Sequence, residues 1–389
     1  MKIWTLTNFD TFSLGMTIKG AWIYRELPDA AELQDSLNTV LRPYPLLLGR
    51  YDDKQKAMVW NGDEPSIELV ELDCSGHSVS EDMYSLVPGF NINGFKSGKS
   101  RALEAYRIKL DDGAAIVVQG AHALMDGATF NRIISDWGKV TSGKTFETMT
   151  VNQDLVPSAD ALSKEQTASR VQELGWSTIG FKSILKMLFN ALTMKLIKKT
   201  FTIKVSQDEL ARMREESGAG TNAVLCHLAV SKLLEKLPSK EKFTLLEVAD
   251  LRGRACGIPE DFFGNCSQPV IIGEFGRDVT ACDIQKAASS ALKNVEGISE
   301  NMQLSASSSK YGLPYFMFDA SDMNSPDPNL FYVNNQLKFK ACEFEFGSGQ
   351  PLRAQQAMLP DMIKFWQEQP GGPIQIVYGG FASRIMRRK

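Results

Sequence analysis

The sequence predicts a mixed α/β protein of two domains with a large share of antiparallel sheet. Three observations carry that prediction. The chain has 389 residues, more than one hydrophobic core ordinarily organises. Apolar runs of period two alternate along its length with segments of helical period. RALEAYRIKL and AAIVVQGA, joined by the turn residues of LDDG, read as an antiparallel strand pair.

MTIKGAWIYREL alternates as a strand, and the next segment places Ala31, Leu33, Leu37, Val40 and Leu41 at helical spacing until Pro43 stops it. After the strand pair, Phe130, Ile133, Ile134 and Trp137 fall on one side of a helix that begins past Gly127. His122 and Asp126 therefore lie in the loop between a strand and a helix. Residues 142–168 are polar and aperiodic and read as the connection out of the first domain. Residues 179–199 mix Ile, Leu, Phe and Met with Lys182, Lys186, Lys195, Lys198 and Lys199. They read as an interdomain helix with a buried stripe, or as an interfacial helix making peripheral membrane contact. FTIKVSQDELARMREES is a strand turning into a helix at Ser206, and TNAVLCHLAVSKLLEKL is a helix capped at Thr221. His227 falls on its apolar side as a packed core histidine, whereas His77 in SGHSVS is a surface group. FTLLEVADL and SQPVIIGEF are strands, TACDIQKAASSALKNV is a helix with Asp283 three residues after a capping Thr280, and FYVNNQLKF and PIQIVYGGF are the closing strands.

Composition narrows the function. A net charge of -3 gives no electrostatic case for nucleic acid. Six cysteines with no CxxC spacing read as buried or free thiols of a reducing compartment and argue against a zinc site. MKIWTLTNFD lacks the basic and apolar regions of a signal peptide, and no segment is apolar for the roughly 20 residues that span a bilayer. A cytoplasmic, monomeric protein is expected.

The chemistry gathers at QGAHALMDGATF, residues 119–130. Histidine is a useful proton acceptor near neutral pH, so one at a strand end is a candidate general base. Taken alone, His122 can equally close the strand and Asp126 cap the next helix. Gly127 after the acid allows a positive φ at a sharp exit from the loop.

Other blocks resolve the ambiguity. HALMDG resembles the HxxxDG motif of the BAHD acyltransferases, within the superfamily that holds chloramphenicol acetyltransferase and condensation domains. LTNFDTFSLGM, SLNTVLRPYPLLLGRY, HALMDGATFNRIISDW, TNAVLCHLAV, VADLRGRACGIPEDFFGN, VNNQLKFKACEFEFGSGQP and GGPIQIVYGGF are similar to that family's blocks, in its order and over essentially the whole chain. Two places depart. The family's DFGWG is here Glu345-Phe346-Gly347-Ser348-Gly349, and its Thr-Ser-Trp falls on Asn334, Asn335 and Gln336.

The resemblance implies two domains of mixed sheet flanked by helices with the active-site channel between them: 1–160, a crossover at 161–200, and 201–389, with 342–365 packing back on the first. It implies that His122 Nε2 takes the proton from an acceptor hydroxyl or amine, and that Asp126 pairs with Arg252 instead of touching His122. Asn334 replaces the threonine that helps hold the oxyanion, and a side-chain amide can donate to the same charge. Gly264 and Asn265 are structural at the site, as is Gly127; Thr221 and Asn222 stand where a helix start meets the coenzyme A arm. Acyl-CoA is the implied cosubstrate and a small natural product the acceptor, with no metal and no permanently bound cofactor. Condensation domains carry a second histidine just before the catalytic one, and that place is Ala121 here. The alternative is the same fold acting as a lipid- or metabolite-binding protein, or a cyclase, without acyl transfer.

Overall fold

The computed structural model describes residues 1–7, 10–11, 13–62, 66–156, 162–178, 200–254, 257–312, 315–316, 328–357 and 362–388. The segment 179–199 lies outside them, as does Cys256. The fold is mixed α/β, built on two principal sheets with helices against them.

The first sheet has five strands in the order Arg353–Gln356, Thr17–Tyr24, Ala114–Ala121, Leu103–Lys109, Leu69–Asp73. Its pairings are antiparallel except the last, Leu69–Asp73 on Leu103–Lys109. All eight residues of Ala114–Ala121 are buried, because this central strand is covered on both faces. Ile116 and Val118 join the core beneath the helices Ala30–Leu41 and Gly127–Thr141, while Ala115 and Val117 face a smaller cluster with Ile108 and Met83. Asp29 caps the first of these helices and Asp126 the second, each accepting from a backbone N–H three residues on.

The second sheet has six strands in the order Ser267–Gly276, Lys242–Asp250, Leu330–Asn335, Ile363–Gln367, Ile374–Tyr378, Phe201–Val205. Leu330–Asn335 is parallel to both neighbours and the other pairings are antiparallel. The helices Gln207–Ser217, Thr221–Glu235 and Ala281–Lys293 contribute Leu210, Leu225, Val230 and Ile284 to its core, together with Val333, Ile363 and Phe365.

A late segment crosses from the second sheet to the first. Ala341, Cys342, Phe344 and Phe346 are buried in the first core. Trp22 Nε1 donates to the Ala341 carbonyl at 2.9 Å and the Tyr24 hydroxyl to that of Phe344 at 2.8 Å. Phe346 meets Trp137 edge-on, ring centres 5.0 Å apart. Arg353–Gln356 then completes the first sheet.

Several expectations need correction. A helix, Lys164–Glu173, begins inside the polar stretch 142–168, started by a reciprocal capping box of Ser163 and Gln166. Gly220, not Thr221, is the N-cap of Thr221–Glu235, so Thr221 is its first helical residue. His227 is half-buried, since the buried stripe runs through Ala223, Cys226, Val230 and Leu233 and leaves it on the flank. Gly127 has no positive φ: it opens the helix, and a Cβ there would meet the Phe339 ring at 3.3 Å. The strands Lys2–Thr5, Arg50–Asp52, Ala57–Trp60, Leu69–Asp73, Ser177–Thr178, Tyr315–Phe316, Arg353–Gln356 and Ile363–Gln367 and the helices Ile92–Lys96, Val295–Lys310 and Gly380–Met386 are additional to the elements read from sequence, the last taking up the end of PIQIVYGGF.

Candidate active site

The buried strand Ala114–Ala121 ends in a single 3₁₀ turn, His122–Leu124, that swings the chain toward the helix Gly127–Thr141. The His122 N–H donates to the Met16 carbonyl at 3.0 Å, fixing the turn to the neighbouring strand. The side chain is half-buried, and among the described residues nothing hydrogen-bonds its Nδ1. Burial holds its pKa below the ordinary histidine value, outweighing the opposite pull of Asp126. His122 is therefore a neutral imidazole at neutral pH, the form that accepts a proton.

Asp126 points the other way, into the second half of the molecule. It is 2% exposed, and Arg252 meets it with two parallel hydrogen bonds, Nη1 to Oδ2 at 2.9 Å and Nη2 to Oδ1 at 3.0 Å. The Ser267 hydroxyl and Cys266 N–H also donate to Oδ2, at 2.8 and 3.1 Å, and the Thr129 N–H donates to Oδ1 at 3.0 Å. Burial raises this carboxyl's pKa, but the Arg252 charge and these donors outweigh it and hold the group at about 2. Asp126, Asp250 and Cys266 stand close enough to share a cation, and the Arg252 guanidinium is the cation among them.

Around this pair the backbone is fixed by side chains from both halves. Arg252 also donates to the carbonyls of Phe262 and Gly264, each at 2.8 Å. Gly264 has φ +135°, and a Cβ would come within 3.0 Å of the Phe262 ring, so glycine suits this turn on both counts. Asn265 donates to the Ala123 carbonyl at 2.9 Å and to Asp10 Oδ1 at 3.0 Å, holding the turn from behind. Burial lifts the Asp10 carboxyl to about 6. Asp10, Thr129 and Ser267 were not singled out in the sequence. Asp10 lies inside the block LTNFDTFSLGM, and the other two carry no spacing signal of their own.

None of the remaining candidates hydrogen-bonds His122 among the described residues. Asn334 is half-buried on Leu330–Asn335, and its amide reaches the Met362 sulfur at 3.9 Å. The Asn222 side chain is already engaged, donating to Glu247 at 2.9 Å and accepting from Asn335 at 2.8 Å. Thr221 beside it is half-buried at the helix start. Ser348, in the place of the expected tryptophan, is exposed and donates to the Glu26 carbonyl at 2.6 Å.

The model of a family described as "Transferase family" matches residues 108–361. No curated protein matches the chain. Among solved structures, the fold resembles TRI101 of F. sporotrichioides complexed with coenzyme A and T-2, with TM-score 0.72, 13% identity, and coverage of 100% of this chain and 98% of that one. It resembles vinorine synthase with TM-score 0.67, 15% identity, and coverage of 99% and 91%. The first condensation domain of the CDA synthetase is similar with TM-score 0.59, 11% identity, and coverage of 100% and 97%. At these identities the likeness is one of fold.

Proposed function

The chain belongs to the Transferase family, and from that premise we propose that it is a BAHD-type acyltransferase of the chloramphenicol acetyltransferase-like superfamily, which moves an acyl group from acyl-CoA to a hydroxyl or amine of a small natural-product acceptor, with His122 as general base. The observation that carries this reading is the division of labour in HALMDG. Asp126 is saturated by Arg252 and its neighbours, and His122, neutral through burial, has no carboxylate partner among the described residues.

In this scheme His122 Nε2 removes the acceptor proton as the oxygen or nitrogen attacks the thioester carbonyl. The Asn334 amide donates to the resulting oxyanion; its present partner, a thioether sulfur at 3.9 Å, is a weak acceptor that such a charge displaces. The tetrahedral intermediate collapses by breaking the carbon–sulfur bond, and the imidazolium proton goes to the departing CoA thiolate. General-base help is worth roughly 10²–10⁴-fold, and a single oxyanion donor about 10²–10³-fold. Gly127, Gly264 and Asn265 keep the His122 turn in register, and Thr221 and Asn222 lie at the helix start assigned to the coenzyme A arm. We read the protein as a cytoplasmic monomer; the five described cysteines are free thiols, which suits a reducing compartment. The divisions 1–160, 161–200 and 201–389 belong to the same proposal, supported by a separate apolar core on each sheet.

Mass spectrometry of reactions between a panel of acyl-CoAs and candidate alcohols and amines tests the reading. It expects acylated acceptor and free CoA in equal amounts. Ligand binding without any CoA released across the panel would favour the binding-protein alternative.

A further inference from the structure

The strands of the second sheet turn alternate residues to opposite faces. Val333, Ile363 and Phe365 point into its own core, whereas Trp366 packs into the core of the first sheet. Asn334 and Lys364 are register partners on adjacent parallel strands and share the Trp366 face, toward the first half of the molecule. Lys364 is 4% exposed. Its Nζ donates to the Gln356 carbonyl at 2.7 Å and lies 5.1 Å from the Trp366 ring centre, and among the described residues no carboxylate pairs with it. The Gln356 side-chain Oε1 is also buried with no hydrogen bond among the described residues, an acceptor that calls for a donor group on the ligand and not for its carboxylate.

We propose that Lys364 anchors a carboxylate carried by one of the two substrates, one strand away from Asn334. A buried cation without an anion is costly, and a ligand that supplies the anion removes the cost. One ammonium matches a singly charged carboxylate; among the described residues no second cation faces the same place for a phosphate dianion. The strand spacing of about 4.8 Å keeps the anchored group close to the reacting carbonyl. Burial brings the free amine down to about 7, so near neutral pH it takes up a proton as the anion arrives. The proposal rests on the acyl-transfer reading for the identity of the ligands and for the place of the reacting carbonyl beside Asn334.

Calorimetric binding tests it without turnover. One arm compares malonyl-CoA with acetyl-CoA, and the other compares 4-(hydroxymethyl)benzoate with benzyl alcohol, so that donor and acceptor are distinguished as the carrier. In one arm the carboxylated ligand binds at least about 10-fold tighter to the native protein. Lys364→Met brings that ratio to near one, and Lys364→Arg keeps most of it. Equal binding within each pair, or a preference that survives Lys364→Met in a variant with an unchanged thermal transition, overturns the proposal. Should Lys364→Met fail to fold, Lys364→Gln gives the same reading. Loss of CoA release across every substrate pair would instead strike the acyl-transfer reading and leave these ratios interpretable.

Discussion

Arg252 is 6% exposed along its side chain and bridges a carboxylate of one half of the molecule to two carbonyls of the other. A lysine has one ammonium and cannot reproduce the two parallel bonds to Asp126. Arg252→Lys is therefore expected to cost about 3 kcal/mol, read from urea midpoints. Asp126 is held at about 2 against 3.8 for the ordinary group, which corresponds to about 2 kcal/mol of stability. The sign follows from a lowered folded-state pKa: the contribution is complete above pH 3.8 and disappears as pH falls toward 2. Stability measured at pH 5 and pH 3 should differ less in Asp126→Asn than in the native chain. His122 gives a second titration. Its lowered pKa places the acid limb of kcat/KM below 6.5, and a limb above that value would contradict the neutral base.

Elements decide how far such residues were legible. Ala114–Ala121 could be read because its eight successive buried positions are apolar or small except for the hydrogen-bonded Gln119, and its turn signals stand beside it. Arg353–Gln356 reads RAQQ, with no alternation, and becomes a strand only because Thr17–Tyr24 offers a free edge. Asp126 and Arg252 are 126 positions apart. No spacing rule joins them, and their pairing was suggested by family resemblance alone. Asp10, Thr129 and Lys364 act through contacts that only tertiary packing creates, so their types revealed nothing in sequence. Packing also sets the tolerance of the segment that crosses between sheets. A Cβ at Gly138 would lie 2.2 Å from the Glu345 carbonyl, a backbone atom that cannot rotate away. Gly138→Ala should cost about 1–3 kcal/mol and show as a lowered urea midpoint, while Gly143→Ala, whose Cβ meets nothing within 4 Å, tests only backbone strain at φ +72°.

At the scale of the whole molecule, the two sheets are joined where the chemistry is proposed. The strand that leads into His122 belongs to the first sheet, Asn334 and Lys364 to the second, and Arg252 with Asn265 ties the HALMDG loop to the second half. The proposed site therefore draws on residues of both sheets. The most direct test of the central claim is the rate of CoA release by the native chain and by His122→Ala, on an acyl-CoA and acceptor pair that the native chain turns over. The account predicts a fall in kcat/KM of about 10²-fold or more, with an unchanged thermal transition. A variant that keeps its fold and releases CoA within about threefold of the native rate would show that His122 is not the base.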